Sequence, residues 1–159
     1  MPTLRRRSYR RKLPHIHSDT KPLFATVRTQ QRWVLPEPVR RLVLDACLRF
    51  HDVKLHMFVA LVRPDHVHLI FKPIVDPAAR EILSLPEVMS GIKGASAHAI
   101  NKVLGRKGPV WQPEFFDHII RSSESLDAKI QYVRANPVRA GLVKCPEEYP
   151  WLWTDRAWD

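Results

Sequence analysis

The chain has 159 residues, with 26 lysines and arginines against 16 acidic residues, a net charge of +10 and an isoelectric point near 10.1. That length suffices to bury a core without disulfides, Cys47 and Cys145 are too isolated for a disulfide framework or a paired-cysteine metal site, and the charge selects a polyanionic partner. The longest purely apolar run, from Met57 to Val62, excludes a membrane-spanning helix, and no apolar signal core follows the basic N-terminus, so a soluble, cytoplasmic protein is expected.

Residues 1–20 read as a basic arm. Arg5, Arg6, Arg7, Arg10, Arg11 and Lys12 carry almost no apolar content among them, which gives either a solvated tail or a phosphate-binding arm. The arm also holds His15-Ile16-His17, a histidine pair beside Pro14 with no strand context. A single domain is expected over residues 21–159, with no internal repeat.

Within it, Leu23 to Arg28 predicts a first strand. Pro36 and Pro38 then open a helix whose Val39, Leu42, Val43, Ala46, Cys47 and Phe50 share one face. Lys54 to Val62 predicts a second strand, nearly all apolar and therefore covered on both sides. Pro64-Asp65 makes a turn into a third strand over His66 to Phe71. A second helix is predicted from Leu85 to Leu104, closed by Gly105 and Gly108, then a fourth strand from Phe115 to Arg121. Ser122 to Ser125 supplies N-cap chemistry for a last helix ending near Pro137. The order β-α-β-β-α-β-α is a ferredoxin-like split βαβ plan with one added helix: an α+β fold with a central antiparallel sheet flanked by helices.

Side chains alternate along a strand, so His66, His68 and Ile70 share one face while Val67, Leu69 and Phe71 anchor the other. Two imidazoles aimed alike make half of a divalent-cation site, and a third protein ligand and substrate oxygens would complete it. On the last helix Leu126, Ile130 and Val133 form a buried stripe, while Ser125, Lys129, Tyr132 and Asn136 line its shoulder. Tyr132 and Asn136 can therefore reach one site; Tyr9 and Tyr149 are the competing phenols. Lys93, between Gly91 and Gly94, is a solvated charge or a contact to a DNA backbone, and Trp111 is a core residue or a base-stacking platform, with Gln112 beside it. His118 offers a fourth ligand or an ordinary strand histidine, and Trp151, Trp153 and Trp158 read as cover for the core or an interface.

Pro64-Asp65-His66-Val67-His68-Leu69, Gly108-Pro109-Val110-Trp111-Gln112, Phe116-Asp117, Tyr132 and the run from Asn136 to Val143 occur in this order, and together they resemble the REP-associated tyrosine transposases. The resemblance extends from about Leu23 to Trp151. It implies that His66, His68 and Asn136 bind Mg²⁺ or Mn²⁺ and that Tyr132 is the nucleophile. It further implies cleavage of single-stranded or hairpin DNA that leaves a 5′-phosphotyrosine and a free 3′-hydroxyl, by a monomer or a homodimer. Lys93, Trp111, Gln112, Lys129 and the basic arm are the expected DNA contacts, and DNA binding would associate the protein with the nucleoid. The first strand lacks a histidine common in the family, and Arg63 stands where a methionine is common, and neither change is expected to touch a proposed ligand. Two rival readings are a catalytically idle descendant that binds hairpin DNA or RNA and a two-histidine phosphoesterase, although the second histidine motif that the phosphoesterase needs is not found downstream.

Overall fold

The structure is a computed structural model that describes residues 21–76 and 81–158. Its centre is a five-stranded antiparallel sheet in the order β6-β1-β3-β2-β7. The strands are β1 (Leu23–Arg28), β2 (Leu55–Val62), β3 (His66–Pro73), β6 (Phe116–Ile119) and β7 (Leu152–Thr154). A separate ladder pairs β4 (Val75–Asp76) with β5 (Glu81–Ile82). The first four strands of the main sheet in chain order keep the arrangement of a split βαβ plan, and β7 adds an edge beyond β2.

Helices cover both faces. α1 (Glu37–Leu48) and α2 (Leu85–Leu104) pack on the face that carries Val67, Leu69 and Phe71, while α3 (Ser123–Arg139) buries Ile130 and Val133 against Ile70, Val59 and Leu61 on the other. The predicted alternation of β3 therefore holds, and it turns His66 and His68 toward the α3 side. A register shift between Met57 and Val59 in β2 lets Phe58 and Val59 both join the α3-side core.

Local chemistry fixes the helix ends. Ser84 and Glu87 form a reciprocal capping box at the start of α2, and Gly105 ends it in the left-handed region at φ 61°. At α3 the Ser122 hydroxyl accepts from the Ser125 amide. That helix runs past the expected stop at Pro137 to Arg139, because proline's fixed φ suits a helix and the turn beyond is closed by Ala140 N–H to Asn136 and Leu142 N–H to Pro137. The C-terminal tryptophans cover the core as expected: Trp151 and Trp153 pack on the α1/α2 side, and Trp158 meets Phe58 edge-on.

Candidate active site

The β2–β3 turn is held from β1 and the segment that follows it. Arg63 N–H donates to the His66 carbonyl, Thr29 donates both its amide and its hydroxyl to the Asp65 carbonyl, and Leu35 N–H donates to Pro64. Gln31 and Arg32 adopt left-handed φ values of 52° and 56°, a strained conformation for residues with a Cβ. It brings Arg32 Nε within 2.8 Å of Asp65 Oδ2, whose other oxygen lies 2.6 Å from His66 Nδ1. Burial works against the Asp65 charge, but the bonds from His66 and Arg32 overcome it and hold the carboxyl below its ordinary value.

An ionised Asp65 makes Nδ1 the protonated nitrogen of His66 and leaves Nε2 with its lone pair. The neighbouring imidazole of His68 is also engaged at Nδ1, 2.8 Å from the Thr26 hydroxyl, which accepts from Nδ1–H in the tautomer that leaves the Nε2 lone pair open. Among the described residues neither Nε2 has a hydrogen-bond partner. The two rings stand 4.8 Å apart, nearly perpendicular. Burial lowers the pKa of both rings, with Asp65 opposing at His66, and at His68 repulsion from a protonated His66 and from Arg63, Arg28 and Arg139 takes it further, to about 3, so the neutral form is favoured in both. Neutral imidazole is the form that binds a metal.

α3 brings the other residues to this face. Tyr132 is 54% exposed, with the Arg139 guanidinium 4.0 Å and the Lys129 ammonium 5.3 Å from its ring centre, and Arg139 also donates to the Tyr132 carbonyl. Lys129 sits equally over Phe24, which stacks on His68. Tyr132 and the histidines are thus joined through Lys129 and Phe24. Asn136 is held by Arg63, whose Nη1 donates to Oδ1, the oxygen expected to face a cation. The expectation that the Arg63 difference leaves the proposed ligands untouched is therefore corrected. Arg63 reaches across from the turn because Asn136 faces the same end of the hairpin.

Other expected residues are placed differently. Trp111 is 5% exposed and donates to Ser96, a core side chain with no face for a base. Lys93 spends its ammonium on the carbonyls of Gln112 and Pro113, and Gln112 donates to Thr29, so these two brace the loop before β6 rather than offer free polar groups to a strand. Phe24 separates His118 from His68, and burial first, then Lys129, lowers the His118 pKa. Tyr149 is buried with its hydroxyl donating to Val62, which removes it as a competing nucleophile. The arm residues Arg5, Arg6, Arg7, Arg10, Arg11 and Lys12, with Tyr9, His15 and His17, lie outside the described residues.

Sequence reasoning missed Thr26, Arg28, Arg32, Asp65 and Arg139 as parts of the site. Asp65 and Arg139 had local signals, one adjacent to His66 and the other two helical turns beyond Tyr132, whereas Thr26 and Arg28 face the histidines through strand register.

A second group with ligand-type side chains, His51, Asp52 and His56, has its donor atoms within 4.8 Å of one another. It lies at the far end of the hairpin, since His56 pairs with Lys72. There the Met57 amide donates to His51 Nδ1, so the His51 proton sits on Nε2 facing Asp52, and His56 bridges Asp52 and Asp155 at 2.7 Å on each side. The group is wired as a hydrogen-bond chain. Among the described residues no helix is long and apolar enough to cross a membrane.

Comparison with known proteins gives this arrangement its relatives. A putative REP-associated tyrosine transposase of Haemophilus influenzae is 28% identical over 94 residues, covering 57% of this chain and 53% of that protein. A REP-associated tyrosine transposase of Escherichia coli is 37% identical over 41 residues, covering 26% of this chain and 25% of that protein. The chain thus matches about half the length, or less, of these curated relatives. A solved REP-associated tyrosine transposase bound to a REP hairpin shares the fold, with a TM-score of 0.66 and 24% identity over 90% of this chain and 82% of that one. Residues 26–136, a span that opens at Thr26, closes at Asn136 and encloses His66, His68 and Tyr132, match the family described as Transposase IS200 like, and the protein belongs to that family.

Proposed function

We propose that the protein cleaves single-stranded DNA at or beside hairpins and rejoins it, in a divalent-metal-dependent reaction that passes through a 5′-phosphotyrosine on Tyr132. The observation that carries this reading is the shared sheet face: two neutral imidazoles, each tied at Nδ1, present Nε2 beside a helix that exposes Tyr132 among cations. His66, His68 and Asn136 would hold Mg²⁺ or Mn²⁺, and this set of two nitrogens and one amide oxygen leaves coordination positions for phosphate oxygens. Bound there, the cation would polarise the scissile phosphate and offset the charge that develops on it.

The chain's own groups do the rest. Arg28, Arg63 and Arg139 each act electrostatically on His68, and that concentration of positive charge suits a phosphodiester. The Tyr132 oxygen attacks phosphorus, the bond to the 3′ oxygen breaks, and the strand keeps a free 3′-hydroxyl while its 5′-phosphate stays on the phenol. A phenol leaves more readily than a sugar hydroxyl, so an incoming 3′-hydroxyl reverses the step and joins strands without ATP.

A second reading, hairpin binding without cleavage, is favoured by the Arg63 bond to Asn136, which sets a cation against one proposed ligand. Incubating the full chain with labelled hairpin-bearing single strands and Mg²⁺ or Mn²⁺ separates the two. The proposal expects a covalent adduct that survives a denaturing gel; tight binding without adduct supports the second reading, and absence of binding overturns both.

A further inference from the structure

On the face that carries the histidines, the β6 edge of the sheet holds an aromatic ring that the core does not use. β1 pairs with β3 on one side and β6 on the other, and the registers set Thr26 opposite both His68 and Phe116. Residues paired across a ladder share a face, so Phe116, Thr26 and His68 form one row, with strands about 4.8 Å apart. Arg28 lies opposite His66 in the adjoining row. Phe116 is 60% exposed, even though the Arg28 guanidinium sits 5.1 Å from its ring centre.

The Arg28 head group is also unspent. Its Nε is buried with no hydrogen-bond partner, and among the described residues its guanidinium has no ion pair. Unpartnered buried donors are rare and call for an explanation, and the cation–π contact with Phe116 satisfies none of them. Arg28 lies beside the site, directly opposite His66 across the β1–β3 ladder. An open aromatic face next to a free guanidinium, two strands from a proposed phosphate-cleaving centre, matches the chemistry of an unpaired nucleotide: a ring to stack on its base and a planar cation for its phosphate.

We propose that Phe116 and Arg28 form a nucleotide clamp that holds an unpaired base of the DNA strand flanking the cleavage site. The clamp rests on the proposed action on single-stranded DNA and adds to it the path by which the strand leaves the site, over the β6 edge. Stacking tolerates any base, so the clamp sets register rather than sequence.

The test uses the full chain and two DNAs, a hairpin with an unpaired flank and the same hairpin cut back to its stem, with 2-aminopurine placed at each flank position in turn. The clamp predicts fluorescence quenching at one flank position. Phe116→Ala should abolish that quenching and weaken binding of the flanked hairpin about tenfold, leaving the bare stem unaffected, while Phe116→Trp retains both signals. Arg28→Ala should lower the salt-dependence slope for the flanked hairpin by about one phosphate contact. Quenching that persists in Phe116→Ala, or equal weakening toward both DNAs, overturns the clamp and leaves the proposed function standing. Failure of the unaltered protein to bind either DNA overturns the proposed function itself.

Discussion

Replacing Arg63 with methionine should tighten cation binding without unfolding the protein. The Arg63 guanidinium donates to Asn136 Oδ1, and its own Nε is buried with no partner. A hydrogen bond from a charged donor contributes about 1.5–3 kcal/mol, and a buried unsatisfied donor costs about 1–3 kcal/mol, so Arg63→Met loses one and relieves the other. The net change in stability is then within about 2 kcal/mol, a shift in Tm of at most about 4–8 °C for a domain of this size. For the cation the two effects have one direction. If coordination by Asn136 requires the Arg63 bond to break, its removal releases about 1.5–3 kcal/mol, equivalent to roughly 10- to 150-fold tighter binding. Withdrawing a positive charge from beside His66 and His68 acts the same way. Calorimetric titration of the DNA-free protein with Mn²⁺, alongside thermal unfolding, reads both quantities. An Arg63→Met protein of normal stability whose Mn²⁺ affinity is unchanged or weaker would refute the reasoning and remove Asn136 from the ligand set.

His66→Ala should abolish cleavage on a labelled hairpin while leaving the circular dichroism spectrum unchanged, since the ring lies off the apolar face of β3. Tyr149→Phe should lower stability by about 1–2 kcal/mol in urea, through loss of the bond to Val62, and still form the adduct. Trp111→Phe, which breaks the bond to Ser96, should destabilise by a similar ~1–2 kcal/mol and leave hairpin affinity unaltered in a gel-shift titration. Two histidines give opposite pH dependences of the urea midpoint. The His68 pKa is depressed, so below pH 6.5 the unfolded chain takes up a proton that the folded one refuses until about pH 3, and stability falls by about 1.4 kcal/mol per pH unit from this site. For His56 burial opposes the charge, but Asp155 and Asp52 outweigh it and raise the pKa, so its contribution is complete below pH 6.5 and disappears as pH rises through the raised value; His56→Asn should flatten that upper decline.

Where local chemistry decides, the sequence was legible. The boundaries of α2 at Leu85 and Leu104 follow from Ser84, Glu87 and Gly105, and the alternation of β3 correctly assigned which side chains anchor it and which take the opposite face. Pro137 misled because a proline's missing N–H is tolerated in a last helical turn whose closing bonds come from residues beyond it. β7 was missed because three residues between Trp151 and Asp155 show no period, and it exists through pairing with Val59, Ala60 and Leu61, far away in the chain. The same limit hid Thr26 and Arg28, whose place beside the histidines is a property of register, and it hid the reach of Arg63 to Asn136. Trp111 stood open between core and stacking platform because aromatic type does not reveal burial; its burial and the bond to Ser96 decide it.

The central claim is that the Tyr132 oxygen becomes bonded to DNA. Digesting the covalent product with protease and nuclease, then sequencing the nucleotide-bearing peptide by mass spectrometry, locates the bond. The account predicts a single modified residue, Tyr132, within the α3 peptide, a 5′-linked nucleotide, and no adduct from Tyr132→Phe. A modified residue elsewhere, or an adduct that persists in Tyr132→Phe, would contradict it.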